Sequence, residues 1–316
     1  MMDTLNIGIV GACGRGASFM AACDALDDVK IHAVCDTNET ELSAACERLG
    51  AREQYSDFET MLEKSAIDAV IIGTPMQFHA PQAIAALQRN LHVLSEVTAA
   101  VSVEECRTLV EASKASRGIY MMAENYTYMQ SNQIIKELVR QGLFGTPYYA
   151  EGEYLHELKY MNEHETPWRR RWQTGIDGIT YGTHSLGPIL QWMPGDRVKR
   201  VCCEGTGVRH IDGTGNPYSQ ASSTMLCKTE KEALIKIRVD MLSDRPHAMT
   251  NYQLQGSDGS YESERGGSGD KGKIWLRKLC EHMDWMDLDA FHANEALAAK
   301  YLPAIWRESG KATTKA

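Results

Sequence analysis

The chain has 316 residues, of which 43% are hydrophobic and 24% are charged, and its formal net charge is −9. This composition is typical of a soluble globular protein, and the length favours two domains. The negative charge argues against nucleic acid and anionic membranes as partners. The sequence shows neither a signal peptide nor a membrane-spanning stretch, so we expect a cytoplasmic protein.

The first half alternates short β-branched runs with longer segments of helical period, which predicts βαβ units around a parallel sheet. The predicted strands are "LNIGIVG", "IHAVCD", "AVIIGTP", "HVLSE" and "GIYMMAEN". The predicted helices are "ASFMAACDAL", "ETELSAACERLG", "HAPQAIAALQRN" and "SVEECRTLVEASKASRG", the last beginning after Ser102 as N-cap with Glu105 three residues on. We therefore predict a Rossmann domain over residues 1–126.

The second half, residues 127–316, has a different pattern. The helix "NQIIKELVRQGLFG" is followed by "ALIKIRVDM", which alternates apolar residues with Lys236, Arg238 and Asp240. Such alternation is typical of an antiparallel sheet with one solvent-exposed face. Further strands are predicted at "AEGEYLHEL", "RVKRVCCEGTGV", "SSTMLCKT" and "NYQLQGS", a glycine-rich loop at "ERGGSGDKGK", a helix within "LDAFHANEALAAKYLPAIW" and a disordered tail at "ESGKATTKA". The fold class is thus α/β, with a C-terminal α+β domain whose open sheet is mostly antiparallel.

The nine cysteines are scattered and never spaced C-x-x-C. This pattern favours neither a disulfide framework nor a zinc site. We therefore predict a reduced protein without a metal.

A glycine loop follows the first strand and begins the first helix, where the pyrophosphate of a dinucleotide binds in Rossmann domains. Read as G-x-G-x-x-G, the segment "GACGRG" has Cys13 at its second glycine position. Asp36 ends the second strand and can accept hydrogen bonds from ribose hydroxyls, which favours NAD over NADP. The residues predicted to bind NAD from this pattern are Gly11, Cys13, Gly14, Arg15, Gly16 and Asp36.

From "GTPMQFHAPQAIAALQRNLHVLSE" through "AENYTY" to "VRQGLFGTPYYAEGEY", the sequence resembles the Gfo/Idh/MocA family of NAD(P)-dependent sugar and inositol oxidoreductases. The resemblance implies that further residues lie near the cofactor: Thr74, Pro75, His79, Glu96 and Asn125. It also implies a homodimer or homotetramer and a small sugar or glycoside as substrate. Structural explanations stay open for some of them, because Pro75 also suits a turn and Glu96 also suits a backbone cap.

Two groups that ordinary family members use to handle protons are absent. Val97 stands where they carry a lysine, and Thr180 stands where they carry an aspartate four residues before the family's histidine, His184. The segments "EVTAA", "GEYLHELK" and "TYGTHSLGP" instead resemble the NAD-dependent glycoside hydrolases of family 109. That resemblance implies catalytic roles for His184, Tyr181 and Tyr154, and substrate contacts for His156 and, in "PWRRRW", Arg169.

Three functions follow from these residues. The first is an NAD-dependent oxidoreductase that removes hydride from a sugar ring carbon, C3, with Tyr and His as acid–base groups. The second is a redox-neutral glycosidase, in which oxidation, elimination, water addition and reduction succeed one another. In the elimination step of this mechanism a tyrosine, Tyr154 or Tyr181, takes the C2 proton. The third is an NAD-binding protein without catalytic activity.

Overall fold

The computed structural model describes residues 4–245, 248–265 and 270–304. The chain divides into two compact units, Met1–Ala123 and Glu124–Ala316, whereas the sequence predicts the boundary after residue 126. Part of the glycine-rich loop "ERGGSGDKGK", the residues after 304 of the last predicted helix and the tail "ESGKATTKA" lie outside the described residues.

The first unit contains a six-stranded parallel sheet in the order β3-β2-β1-β4-β5-β6. Its strands are β1 Leu5–Val10, β2 Val29–Cys35, β3 Glu53–Tyr55, β4 Ala69–Ile72, β5 His92–Ser95 and β6 Tyr120–Met122. Its helices are α1 Met20–Asp24, α2 Glu39–Arg48, α3 Phe58–Lys64, α4 His79–Gln88 and α5 Val103–Ala115. This order changes direction between β1 and β4, and the carboxyl ends of parallel strands at such a point form the usual ligand crevice of the fold.

The sequence predicted this sheet correctly where burial is strong. All four residues of β4 and the last four of β1 are buried, as expected of central parallel strands. Ser102 caps α5 by accepting a hydrogen bond from Glu105 N at 3.1 Å, as predicted. The pair β3 and α3 was missed because β3 has only three residues and none of them is fully buried.

The second unit contains an eight-stranded sheet in the order β14-β13-β12-β11-β7-β10-β9-β8. Its strands are β7 Pro147–Leu155, β8 Val198–Gly205, β9 Ser222–Thr229, β10 Leu234–Asp240, β11 Ala248–Gly256, β12 Gly259–Glu262, β13 Lys273–Leu276 and β14 Met286–Asp287. Its helices are α6 Gln130–Arg140, α7 Trp168–Trp172, α8 Thr183–Gln191, α9 Leu288–Ala293 and α10 Glu295–Tyr301. Neighbouring strands run antiparallel except β7 and β10, which are parallel.

The predicted alternation of β10 is confirmed in most positions. Ile235 and Ile237 are fully buried, while Lys236 lies on the other face and contacts Glu151 at 2.7 Å. Asp240, predicted on the solvent face, is instead buried and accepts a hydrogen bond from Leu242 N at 3.1 Å. The prediction failed there because the strand ends at this residue and its carboxylate caps the turn that follows.

Two predicted helices are divided. The first helix of the chain comprises a 3₁₀ turn, Arg15–Phe19, and then α1. The last one is broken at Asn294, whose side chain accepts hydrogen bonds from Ala296 N and Leu297 N and so begins α10. Among the described helices, none is both long and apolar enough to span a membrane.

Candidate functional site

The glycine loop of the first unit is packed against the segment after β4. Gly11 has a φ of +78°, and a Cβ there would lie 2.6 Å from Gly73 O. A Cβ on Gly16 would lie 2.8 Å from Gly11 O, and one on Gly73 would overlap Gly16 N. These three glycines are therefore required for the two loops to approach each other.

Gly14 differs from these three glycines. Of the atoms in the described residues, a Cβ placed there would have only Gly11 O within 4 Å, at 4.0 Å. The absence of a side chain at Gly14 therefore leaves open space beside the loop, where the pyrophosphate of a dinucleotide approaches the backbone of this fold.

Asp36 is fixed at the end of β2 by backbone groups. Its Oδ2 accepts a hydrogen bond from Cys13 N at 2.8 Å, and its Oδ1 accepts one from Asn38 N at 3.0 Å. Each carboxylate oxygen keeps further acceptor capacity, as binding of ribose hydroxyls requires. Burial, with help from Asp36, raises the pKa of the Cys13 thiol to about 11, so the thiol stays protonated at neutral pH.

The end of β5 is linked to the glycine loop by an ion pair. Glu96 is 7% exposed, and its Oε1 accepts a hydrogen bond from Arg15 Nε at 2.6 Å. Val97, the residue that replaces the family lysine, follows it and is also buried. Its aliphatic side chain cannot exchange a proton.

The His79 ring connects two loops through contacts with their backbone carbonyl groups. It is 1% exposed, and its Nδ1 and Nε2 each lie 2.7 Å from a backbone carbonyl oxygen, those of Thr98 and Thr74 respectively. Thr74 donates its hydroxyl to Gln82 Oε1 at 2.7 Å, and Pro75 precedes a 3₁₀ turn. These residues thus hold the shape of the crevice, and both ring nitrogens of His79 are already used.

The first unit fits NAD on these observations. The open space at Gly14 and the oriented Asp36 carboxylate match the pyrophosphate and the ribose of a dinucleotide. The residues that would hold it are those of the glycine loop and Asp36. Within the described ranges no group of three His, Cys, Asp or Glu side chains is arranged to hold a metal ion.

The second unit contains a buried carboxylate–histidine pair. Glu124 Oε1 lies 2.7 Å from His184 Nδ1, and each side chain is 7% exposed. The same oxygen accepts a hydrogen bond from Tyr126 N at 3.1 Å. The sequence predicted His184 as a site residue but did not predict Glu124. The one sequence feature that could have indicated Glu124 is its position in "AENYTY", directly before Asn125.

Aromatic rings surround His184. The centroid of its ring lies 4.1 Å from that of Tyr126, 5.0 Å from that of Tyr181 and 5.3 Å from that of Tyr154. A hydrogen bond of 2.9 Å joins Tyr154 Oη and His156 Nδ1. We call these five residues, Tyr126, Tyr154, His156, Tyr181 and His184, the aromatic cluster. It brings together four residues that the sequence predicted and adds Tyr126.

Helix α8 is placed by small residues. A Cβ on Gly152 of β7 would lie 2.5 Å from Ser185 O, so this glycine lets α8 pack closely on the strand that carries Tyr154. Pro188 lies inside α8 and has no N–H to donate to the carbonyl of His184, four residues earlier. The hydroxyl of Tyr252 donates to that carbonyl instead. The backbone of His184 is therefore held from a second strand, β11.

The environment of Tyr154 favours its protonated form. Burial, followed by the neighbouring Tyr181 and Tyr126, raises the pKa of Tyr154 well above its ordinary value, and the charge of Arg169 opposes this increase. A C2 base would need the pKa to fall, so this direction is the reverse of the one that the sequence-based mechanism requires. Tyr154 suits donation of a hydrogen bond rather than removal of a proton.

The three neighbouring arginines of α7 differ in their contacts. Arg169 lies over the ring of Trp168, and its buried Nε has no hydrogen-bond partner among the described residues. Arg170 donates to Asp212 Oδ2 at 2.9 Å and so fixes a loop, and Arg171 lies over Trp172. The charge of Arg169 lowers the pKa of Tyr154 against the effect of burial, which keeps Arg169 as the candidate for substrate contact.

Two other predicted positions are placed as follows. Thr180, where the family aspartate is absent, donates its hydroxyl to Gln173 O at 2.6 Å. Asn125 is exposed at the start of a 3₁₀ turn in the second unit.

Two family models match the chain. Residues 5–124 match the "Oxidoreductase family, NAD-binding Rossmann fold" model, and residues 132–262 match the "GFO/IDH/MocA C-terminal domain" model. A protein of Saccharopolyspora erythraea named "Glycosyl hydrolase family 109 protein" is 31% identical, over 98% of this chain and 70% of that protein. A protein of the same name from Shewanella woodyi is 30% identical, over 98% of this chain and 72% of that protein.

Solved structures share the fold. Levoglucosan dehydrogenase, in complex with NADH and levoglucosan, matches with a TM-score of 0.73 and 18% identity over 90% of this chain and 80% of that one. The WlbA dehydrogenase of Bordetella pertussis, in complex with NADH and UDP-GlcNAcA, matches with a TM-score of 0.68 and 22% identity. The match covers 83% of this chain and 74% of that one. Since the two family models cover more than half of its length, the chain belongs to the Gfo/Idh/MocA family of oxidoreductases, and its first unit is an NAD-binding Rossmann domain.

Proposed function

We propose that the protein removes hydride from a ring carbon, C3, of a sugar or glycoside, and that His184 takes the proton of the hydroxyl on that carbon. The pair of Glu124 and His184 carries this proposal. The carboxylate accepts a hydrogen bond from Nδ1–H, so Nε2 of the neutral ring keeps its lone pair and can act as a base. NAD, when bound, accepts the hydride and can return it.

The tyrosines of the aromatic cluster supply donors in this proposal. Tyr154 stays protonated and stabilises the substrate oxygen that gains negative charge as its proton leaves. Arg169 and His156 bind the substrate, with Arg169 supported by its electrostatic effect on Tyr154. Tyr181, whose ring lies 5.5 Å from that of Tyr154, is the remaining candidate for a proton transfer at C2.

The cofactor contacts belong to the first unit in the proposal, apart from Asn125. The backbone of the glycine loop binds the pyrophosphate, and Asp36 binds the ribose hydroxyls and disfavours a 2′-phosphate. Thr74, Pro75, His79 and Glu96 border the cofactor, with His79 acting through the loops that it braces.

A redox-neutral glycosidase is the second candidate. It is supported by the 31% identical relative named as a glycosyl hydrolase and by Val97, which cannot serve as the base of an ordinary dehydrogenase of this family. A ketone at C3 acidifies the proton on C2, because the resulting carbanion is delocalised as an enolate. Loss of that proton expels the leaving group on C1, and water then adds its hydroxyl to C1 and a proton to C2. Return of the hydride to C3 and of a proton to its oxygen restores the C3 hydroxyl. The net reaction is hydrolysis of the glycoside.

The experiment supplies NAD and a panel of aryl glycosides to the purified protein, and follows reduced nicotinamide and released phenol together. Phenol without net NADH, abolished by stripping the cofactor, assigns the redox-neutral glycosidase, and NADH without phenol assigns a dehydrogenase. If neither NADH nor phenol forms although the protein binds NAD, the result contradicts the proposal and favours a non-catalytic NAD-binding protein.

Variants at two histidines test the site. His184→Asn is expected to lower turnover by a factor of about 10² to 10⁴ with unchanged NAD affinity. His164→Asn, in which the exposed ring stacked on Tyr160 is replaced, is the matched control and should leave turnover unchanged. Undiminished turnover in His184→Asn would show that the base has been assigned to the wrong residue.

A further inference from the structure

We propose that Glu124 is a positioning residue that holds neutral His184 in the tautomer whose Nε2 carries no proton. In the same proposal, residue 187 is a glycine because a side chain there would displace Glu124. The proposal rests on the proposed function in one respect, the role of His184 as the base. The tautomer itself can be tested without any substrate.

The position of the Glu124 carboxylate is determined by two donors. Its Oε1 lies 2.7 Å from His184 Nδ1 and also accepts the backbone N–H of Tyr126 at 3.1 Å. The second contact comes from the 3₁₀ turn that Glu124 itself caps, so the oxygen cannot leave His184 without uncapping that turn. The carboxylate is thus held in place independently of the histidine.

The tautomer follows from the chemistry of the pair. An ionised carboxylate only accepts hydrogen bonds, so the ring proton of neutral His184 lies on Nδ1 and the lone pair on Nε2. When His184 takes a proton, the carboxylate faces an imidazolium. Their attraction is strong because both side chains are shielded from solvent.

Gly187 provides the space for this contact. It lies three residues after His184 on α8, and a Cβ there would lie 2.8 Å from Glu124 Cγ and 3.6 Å from Glu124 Cδ. Cγ is the middle of a side chain whose end is fixed, so a methyl group would displace the carboxylate. Glycine inside a helix is otherwise unfavourable compared with alanine. Its presence in α8 is therefore explained by Glu124.

The first measurement is nuclear magnetic resonance of protein labelled with ¹⁵N-histidine, with the His184 signals assigned by their loss in His184→Asn. The wild-type protein should show a protonated Nδ1 and an unprotonated Nε2. Glu124→Ala should populate the opposite tautomer. An unchanged tautomer in a folded Glu124→Ala protein overturns the inference.

The second measurement is a double-mutant cycle on the aryl glycoside that gives the highest turnover in the panel. Gly187→Ala should lower kcat roughly tenfold or more, and the displaced carboxylate should also lower the melting temperature, because loss of the cap outweighs the gain in helix propensity. In the Glu124→Ala background the same change should cost nothing, because the atom that it would strike is gone. Equal losses in both backgrounds would show that Gly187 acts independently of Glu124.

Glu124→Gln serves if the alanine variant does not fold. Its amide oxygen can still accept a hydrogen bond from Nδ1–H, so the tautomer should persist while kcat falls about tenfold with the loss of charge. Glu137→Gln, which removes the carboxylate that contacts Arg140 on α6, is the matched control. An active His184→Asn protein refutes the proposed function. A fully active Glu124→Ala protein beside an inactive His184→Asn protein refutes only the positioning role, and so does a folded Glu124→Gln protein in which Nδ1 of His184 is no longer protonated.

Discussion

Substitution of Asp36 by Asn tests how the first unit selects its cofactor. The carboxylate accepts Cys13 N–H through Oδ2 at 2.8 Å and Asn38 N–H through Oδ1 at 3.0 Å. Asparagine keeps one oxygen but presents its amide donor to the other N–H. We therefore expect Asp36→Asn to lower the free energy of unfolding by about 1–3 kcal/mol.

The effect on the cofactor is electrostatic. Two unit charges about 5 Å apart repel by about 1 kcal/mol in water and by about 3 kcal/mol near a protein surface. The Asp36 carboxylate should impose a penalty of that size on a 2′-phosphate. Removing its charge is expected to raise the affinity for NADP relative to NAD by roughly fivefold to 150-fold.

Titration of wild-type and variant proteins with NAD and with NADP, measured by isothermal titration calorimetry, gives the two dissociation constants. Glu41→Gln, which removes an exposed charge from α2, should leave their ratio almost unchanged. If Asp36→Asn also leaves the ratio unchanged while the protein remains folded, Asp36 does not face the ribose.

Three further predictions concern single side chains. Gly73→Ala should lower the free energy of unfolding in urea by about 1–3 kcal/mol, because its Cβ would overlap Gly16 N. Gly14→Ala should instead weaken NAD binding and leave the free energy of unfolding nearly unchanged. Equal stabilities of the two variants would contradict this packing. Tyr154→Phe should lower kcat about 100-fold with unchanged NAD affinity, while Tyr149→Phe on the same strand should not, and similar kinetics of both would argue against Tyr154 as the donor. Burial raises the pKa of Tyr120 to about 12 from 10.0. The neutral phenol therefore contributes fully to the free energy of unfolding below pH 10, and this contribution is lost as the pH rises to 12. The unfolding free energy should fall by about 1.4 kcal/mol per pH unit there, and Tyr120→Phe should remove that part of the slope in alkaline urea titrations.

Sequence periodicity predicted those elements whose burial is set locally. The alternation of β10 and the capped helix α5 both depend on neighbours within a few residues, so their pattern is visible in the chain. The position of β10 beside β7 was not visible, because the register Leu234 with Tyr149 depends on residues far apart in sequence. Short elements such as β3 carry too few buried residues to show a period.

The candidate site was predictable only in part for the same reason. The motif resemblance identified His184, Tyr154 and Tyr181, which the structure gathers into one cluster. Glu124 could not be linked to His184 from sequence, because their contact depends on the close approach that Gly187 allows. Whether Tyr154 or Tyr181 can take the C2 proton also depends on burial, which spacing alone does not reveal.

The parallel pairing of β7 with β10 has a consequence for how the second unit folds. Both neighbours of β7, namely β10 and β11, are synthesised long after it, so no local hairpin can stabilise β7 as it emerges from the ribosome. Loop closure over such a distance must precede these contacts, and this slows folding. We expect chains truncated before Leu234, which lack both β10 and β11, to leave β7 unpaired and prone to aggregate, and the aromatic cluster to assemble late in folding.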